Sequence, residues 1–261
     1  MIYPEISIVI PCYKEAEVIV SNILIVHKYL LERFDRHEII VVTDGSPDET
    51  ADIIDRLVKD RPDIPLAHIR FEKNRGKGAA VKAGILASKD NPVLFIDADL
   101  TIPIDELDEF MSVLNQSGSD IVIASRLAPG ARLEEPAPWY RVLTARGFHL
   151  LQILILGGFE FSDTQCGFKL FSRPVAKDLF KHVTINRFAF DAELLFIARK
   201  RNYRVAILPV LIRKDMRNTN VRVFHDSFNM LFSLLRIRWN DCLGKYERKK
   251  TVKKIRKVAN A

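Results

Sequence analysis

Short runs of β-branched and aromatic residues recur through the first half of the chain: Ile6–Ile10 (ISIVI), Glu38–Thr43 (EIIVVT), Leu66–Phe71, Val93–Ile96 (VLFI) and Asp120–Ser125 (DIVIAS). Each is too short for an ordinary helix and predicts a buried strand. Between them lie segments with helical spacing: Glu15–Phe34, Ala51–Val58, Ala79–Ser88 and Ile104–Gln116. Strands that alternate with helices predict an α/β fold, with a mostly parallel central sheet covered by helices on both faces. In such a sheet, ligands bind beyond the carboxyl ends of the strands. The unusual polar residues all fall at those ends: Pro11–Glu15 (PCYKE), Asp44–Ser46, Arg75–Lys77 within NRGKG, and Asp97–Thr101. Pro11 is expected to stop the first strand.

The stretch NPVLFIDADLTIP, residues 91–103, ends an apolar run in two carboxylates, Asp97 and Asp99. On an extended chain both would point to one side. Paired acids at the end of a buried strand repel each other and lose hydration unless a cation joins them. A hard divalent cation carrying a diphosphate would suit them. The same acids would also favour the N-terminus of the helix expected from Ile104. The NRGKG turn offers backbone amides and Lys77 to a phosphate, because its glycines let the backbone approach closely. It lacks the GK[ST] ending of the common phosphate loop.

The second half is less regular. Leu127–Pro138 is rich in Pro, Gly and Ala and reads as an excursion. Helices are expected over Tyr140–Leu156, Pro174–Lys181, Ala192–Arg199 and Phe224–Trp239, and a strand over Val205–Ile212. Asp163 and Asp191 are acids among aromatics (FEFSDTQCGF, FAFDAELLF) and need a partner or a function. Asp191 would also serve as an N-cap, and Asp163 as a turn residue. His149 lies on an apolar helix face and reads as a satisfied core or interface histidine. Arg141 and Arg146 precede the apolar run LLQILILGG, and Phe224–Trp239 is amphipathic. Both segments fit either core helices or a basic, interfacial surface against lipid. Arg213, Lys214, Arg217 and Arg222 cluster before the last helix. The chain divides into one domain over residues 1–240 and a basic tail over 241–261. The tail carries Arg248, Lys249, Lys250, Lys253, Lys254, Arg256 and Lys257.

Composition narrows the functions. Residues are 48% hydrophobic and 28% charged, a balance that supports a sizeable core. Net charge is +7, with much of the excess in the tail, which favours an anionic partner. The tail lacks the interleaved aromatics of a nucleic-acid stacking surface, so nucleic acid is not expected. Cys12, Cys166 and Cys242 form neither a disulfide framework nor a zinc pattern and suit a reducing compartment. No signal peptide and no membrane span are expected.

The order IPCYKE, TDGSPDET, NRGKGAAVKAG, DADLT, SR, DTQCGFKLF and FDAELLF resembles the inverting family-2 glycosyltransferases of GT-A fold. Within them it is most similar to the polyprenyl-phosphate hexosyltransferases, the dolichyl-phosphate β-glucosyltransferase and mannose synthase group. The resemblance covers roughly residues 5–240. It implies a UDP-glucose or GDP-mannose donor, Mg²⁺ or Mn²⁺, and a polyprenyl phosphate acceptor such as dolichyl or undecaprenyl phosphate. By matching position, Pro11, Tyr13, Glu15 and Asp44 would surround the nucleotide, with Lys77 beside it. Asp97 and Asp99 would hold the metal diphosphate. Arg126 matches the SR of the family and would meet phosphate, together with Arg141, Arg146, Arg217 and Arg222 on the acceptor side. Asp163 and Asp191 would lie in the sugar and acceptor region, with Asp191 the candidate base or sugar anchor. The enzyme would sit peripherally on the cytoplasmic face of a membrane. Two departures stand out: Thr43 replaces the first acid of the DDGS pattern, and Asn220 falls where a lysine is common. The competing expectations are a soluble transferase acting on a glycan hydroxyl and a non-enzymatic nucleotide-binding module.

Overall fold

In this computed structural model the described residues are 2–135, 139–157, 161–214 and 223–247; the side chains of 139–142 and 223–229 are outside the description. The chain runs β1 (Tyr3–Cys12), α1 (Ile19–Leu31), β2 (Phe34–Asp44), α2 (Thr50–Asp60), β3 (Leu66–Phe71), α3 (Lys77–Ala87) and β4 (Val93–Ile96). A 3-10 turn (Ile104–Glu106) leads into α4 (Leu107–Gln116), β5 (Ile121–Ser125), β6 (Arg132–Leu133) and α5 (Trp139–Leu156). Then follow β7 (Phe168–Phe171), α6 (Arg173–His182), α7 (Phe190–Lys200), β8 (Val205–Pro209), β9 (Leu211–Ile212) and α8 (Val223–Cys242).

The central parts of β1, β2, β4 and β5 are buried on both faces, because helices cover both sides of the sheet. Ile6, Ile8, Ile10, Ile39, Val41, Leu94 and Ile96 face α1 and α4, packing with Ile23, Leu30, Leu107 and Phe110. The alternate residues Val9, Ile40, Val42, Val93 and Phe95 face α3, α6, α7 and α8. The small residues of α3 bring it close to the sheet. A Cβ on Gly84 would lie 2.4 Å from Val9 Cγ1.

The sheet order is β3-β2-β1-β4-β7-β5-β8, and β6 pairs with β9 in a separate ribbon. The mostly parallel expectation holds, with one antiparallel strand: β7 lies between β4 and β5 and runs against both. Its four residues, FKLF, are too short to announce a strand by pattern. Pro11 does not end β1, which continues to Cys12 and pairs Pro11 with Val42. Pairing with β4 stops at Val9. Beyond that point one side of β1 has no ladder for a proline to break. The expected strand Val205–Ile212 is split, β8 pairing with β5 and β9 with β6. The excursion after Leu127 contains β6. Burial continues past residue 240, where the sequence placed the end of the domain. The Tyr246 ring is fully buried, its hydroxyl bonds Glu193 Oε1 at 2.6 Å, and its carbonyl accepts from Arg201 Nε at 2.9 Å. Among the described residues no helix is long and apolar enough to cross a membrane.

At the opposite rim, α1 meets β2 through two buried imidazoles, His27 Nδ1 and His37 Nε2, 3.0 Å apart. Burial pushes His27 below its ordinary value. Burial, then the neighbouring His27, pushes His37 down to about 4. Above pH 6.5 the rings are neutral in both folded and unfolded chains. As pH falls from there toward 4, the unfolded chain takes up protons that the folded chain refuses, so stability falls. We expect the unfolding free energy to drop between pH 7 and pH 5 by up to about 1.4 kcal/mol per pH unit per proton. Denaturant melts should show a flatter profile for the His27→Leu/His37→Leu double variant.

Candidate active site

The carboxyl ends of β1, β2 and β4 meet the N-terminus of α3. Asp44 closes β2 and is buried. One oxygen accepts from the Arg75 amide at 2.7 Å, the other from the Gly76 amide at 2.8 Å and Asn74 Nδ2 at 3.0 Å. Its carboxylate therefore braces the NRGKG turn from behind. Gly76 has φ +103°, and a Cβ there would lie 2.4 Å from the Asn186 carbonyl oxygen, so only glycine fits. The turn delivers Lys77 as the first residue of α3. Arg75 stacks on the Phe71 ring, 4.5 Å from its centroid. Thr43, the departure from the DDGS pattern, bonds His68 Nε2 through its hydroxyl at 2.9 Å. Pro11, Tyr13 and Glu15 lie on the same rim, with Tyr13 exposed and the Glu15 amide bonded to Thr50 Oγ1 at 2.9 Å.

Asp97 and Asp99 follow β4, but not on an extended chain as the spacing predicted. The chain turns here: the Leu100 amide bonds the Asp97 carbonyl at 3.2 Å, and Leu100 has φ +50°. Asp99 Oδ1 accepts from the Thr101 amide at 3.0 Å. Lys77 Nζ lies 2.5 Å from Asp97 Oδ1. Burial works against the Lys77 charge, but Asp97, then Asp191, outweigh it and hold the ammonium above its ordinary range. Gly167 faces Asp97 so closely that a Cβ would sit 2.0 Å from Oδ2.

Two further acids converge from the second half of the chain, each bound to a cation. Arg126, just past β5, forks onto Asp163 with Nε–Oδ2 at 2.8 Å and Nη2–Oδ1 at 2.7 Å; its amide also donates to Oδ2. Burial pushes the Asp163 carboxyl up, but the Arg126 bonds and charge outweigh it and hold the group below the usual carboxylate range. Asp191 is not the N-cap but lies in the first turn of α7 and is buried. Its Oδ1 meets Lys169 Nζ at 2.6 Å. Burial pushes the Asp191 carboxyl up, partly offset by Lys169 and Lys77. Lys169, on β7, is a buried cation the sequence reading passed over; it also bonds the Cys166 carbonyl at 2.5 Å and lies 5.0 Å from the Phe95 ring centroid. Burial pushes the Cys12 thiol up, and the Cys166 thiol up to about 12, so both are poor nucleophiles.

A cleft lined by Asp97, Thr101, Arg126, Gln165, Gly167 and Ile212, among others, opens here. Gln165 Nε2 is buried there without a hydrogen-bond partner. An orphaned amide donor fits an oxygen-rich ligand, and although DTQCGFKLF is one of the segments that carry the resemblance, the sequence reading gave Gln165 itself no role. His149 is also unsatisfied rather than satisfied as expected: its Nδ1 is buried with no partner. Arg146 is exposed on α5. The Arg141 side chain, Arg217, Arg222 and the tail from 248 lie outside the described residues.

Among the described residues no three His, Cys, Asp or Glu side chains form a ready metal cluster. Two carboxylates with the remaining positions taken by substrate oxygens is the usual arrangement for Mg²⁺ with a diphosphate. Asp97 and Asp99 supply that pair, and the missing side chain at Gly167 leaves the Asp97 carboxylate room.

A dolichyl-phosphate beta-glucosyltransferase of Trichomonas vaginalis is 39% identical over 216 residues, covering 78% of this chain and 62% of that protein. One from Dictyostelium discoideum is 32% identical over 249 residues, covering 92% of this chain and 75% of that protein. In fold, the chain is similar to glucosyl-3-phosphoglycerate synthase from Mycobacterium tuberculosis, solved with Mn²⁺, UDP and glucosyl-3-phosphoglycerate. The TM-score is 0.64 at 21% identity, over 90% of this chain and 80% of that one. Residues 7–180, from β1 into α6 and including the carboxyl ends of β1 to β5, match glycosyl transferase family 2, and the chain belongs to that family.

Proposed function

We propose that the protein moves glucose from a nucleoside diphosphate sugar, UDP-glucose by the resemblance, to the phosphate of a polyprenol such as dolichyl phosphate, with inversion. The relatives named above favour glucose over mannose. The observation that carries the reading is that one cleft is lined both by Asp97, paired with Lys77, and by Arg126, paired with Asp163. The first pair suits the diphosphate that leaves, the second the phosphate that attacks.

In this reading Tyr13, Pro11 and Glu15 border the nucleotide, and Asp44 keeps the NRGKG turn in register beneath its phosphates. Asp97 and Asp99 would hold Mg²⁺ or Mn²⁺, which when bound would supply positive charge to the leaving diphosphate. Lys77 adds a second positive charge at the same place. Arg126, oriented by Asp163, receives the acceptor phosphate, with Arg146 and, outside the described residues, Arg141, Arg217 and Arg222 as further phosphate contacts. A phosphate monoester is mostly ionised near neutral pH, its second pKa being about 6. No general base is then required, and the buried pair Asp191–Lys169 acts by positioning. Because the acceptor is a lipid, the enzyme works at a membrane surface. We place it peripherally on the cytoplasmic face, in keeping with its three free cysteines.

Three results test this. Asp99→Ala should keep its circular-dichroism spectrum and lose transfer by on the order of 10²–10³ in kcat; full activity would remove the metal role. Gly167→Ala should displace the Asp97 carboxylate and weaken Mn²⁺-dependent UDP binding, measured by calorimetry. Arg126→Lys breaks the fork on Asp163 and should raise the acceptor KM by about tenfold or more while leaving the donor KM nearly unchanged. An acceptor panel decides the class, since transfer confined to saccharide hydroxyls would reject the lipid phosphate.

A further inference from the structure

Residues 163–167 run along the cleft as a strap held on both sides of Gln165. The Asp163 carboxylate takes the fork of Arg126, and Thr164 Oγ1 accepts from Gln152 Nε2 of α5 at 3.0 Å. The Cys166 carbonyl accepts from Lys169 Nζ at 2.5 Å, and the Gly167 carbonyl from the Asp97 amide at 3.0 Å. Thr164 and Cys166 are buried, whereas Gln165 between them is part-exposed and lines the cleft with Asp97 and Arg126. The strap thus fixes the backbone at Gln165 and leaves its amide idle: Nε2 is enclosed and has no partner. A buried donor without an acceptor costs free energy, and native folds retain few of them. The end torsion of a glutamine side chain is broad. With no bond to break, the amide can turn to an oxygen that arrives in the cleft.

Charge separates the candidate oxygens. In the reaction proposed above, the phosphates at both ends of the transfer meet cations: the leaving diphosphate meets Lys77, and the acceptor phosphate meets Arg126. A neutral carboxamide set among charged groups matches a neutral ligand. Inversion puts the attacking and leaving oxygens on opposite sides of the reacting carbon, so the hexose lies between them. Along the strap, Gln165 stands between Asp163, which orients Arg126, and Gly167, which faces Asp97.

We propose that Gln165 determines sugar specificity: its amide donates to one hydroxyl oxygen of the transferred hexose, and a donor sugar without that hydroxyl leaves the amide unpaired. This rests on the transferase reading above and adds the residue that selects the sugar. A site that hydrogen-bonds a hydroxyl rejects the analogue lacking it far more strongly than an apolar pocket rejects a missing methylene. The strap sharpens the selection, because Gln165 cannot shift toward an altered sugar without disturbing the bonds of Thr164 and Cys166.

The test is steady-state kinetics of the full chain with Mn²⁺ and a short-chain polyprenyl phosphate. The donors are UDP-glucose and its monodeoxy analogues, one for each free hydroxyl, and the proteins are wild type and Gln165→Met. Methionine keeps the length of the side chain and removes the amide. Wild type should lose about tenfold or more in kcat/KM with one analogue. Gln165→Met should lose about as much with UDP-glucose and little further with that same analogue. Its affinity for UDP, by calorimetry, and its KM for the polyprenyl phosphate should stay near those of wild type. Equal losses with UDP-glucose and with every analogue would overturn the inference. So would a raised acceptor KM with every donor, since the amide would then serve the acceptor phosphate. Wild-type kinetics in the variant would also overturn it, the amide then serving only water. Wild type that uses every analogue as well as UDP-glucose rejects the inference whether or not the variant folds. If wild type transfers nothing to the lipid phosphate, calorimetry of UDP-glucose against UDP decides. Tighter binding of UDP-glucose by wild type, lost in Gln165→Met, would uphold the sugar contact and reject the lipid acceptor. The same preference in both proteins, or none in wild type, would reject both.

Discussion

A lysine ammonium held inside the central sheet sets the layout of the site. Lys169 is fully buried on β7 and is sustained there by Asp191 and the Cys166 carbonyl. Removing either member of such a pair leaves an uncompensated buried charge, at a cost of about 3–5 kcal/mol. The pair thus pins β7 against α7. It does so at the position where β7 is inserted, antiparallel, between β4 and β5. That insertion sets Phe168 opposite Ile96 and brings Gly167 against Asp97. The carboxylates after β4 therefore open onto a wall with no side chain. A parallel strand in the same slot would present its other end to the cleft.

The remaining cations follow the same rule of local compensation. Lys77 is matched by Asp97 and Arg126 by Asp163. Asp163 is itself buried and held by the Arg126 amide, while Asp97 is held through its main chain, its amide bonding the Gly167 carbonyl at 3.0 Å. Charges held in place in this way need little rearrangement when a phosphate arrives, which is the condition for effective electrostatic stabilisation. The side proposed for the donor is assembled from consecutive elements, β1 through β4. The side proposed for the acceptor is assembled from Arg126, residues 163–167 and Ile212, which are distant in sequence. The Arg213 amide, bonded to the Thr101 carbonyl at 2.8 Å, closes the ring between them.

That difference governs what could be read from the sequence. The first five strands and their helices were legible because each strand end carries its own chemistry within a few residues: PCYKE, TDGS, NRGKG, DADLT. Leu66–Phe71 and Val93–Ile96 have the bounds the pattern gave them. Lys169 was not legible, because a lone lysine in an apolar run is ordinarily a surface residue, and only the insertion of β7 buries it. Gln165 was missed for the same reason. Asp44 was assigned to the nucleotide by resemblance, whereas its bonds to Asn74, Arg75 and Gly76 become visible only when β2 and the turn are side by side. The turn at Asp97–Leu100 was hidden because alternation suggests an extended chain until a φ of +50° at Leu100 breaks it.

Glu193 shows why the second half resists a motif reading. It lies two residues after Asp191, so FDAELLF looks like a pair of site acids. Yet all its bonds are structural: Thr184 Oγ1 at 2.8 Å, the Thr184 and Ile185 amides at 2.8 and 2.7 Å, and the Tyr246 hydroxyl. It ties the segment before α7 to the end of α8. The next residue along that segment, Asn186, places its carbonyl against Gly76 and accepts from the Ala79 amide at 3.1 Å. One buried carboxylate thus links the last helix of the chain to the turn that presents Lys77. Of these two acids, Asp191 serves the charge balance beneath the cleft and Glu193 serves the frame that joins the last helix to the turn bearing Lys77.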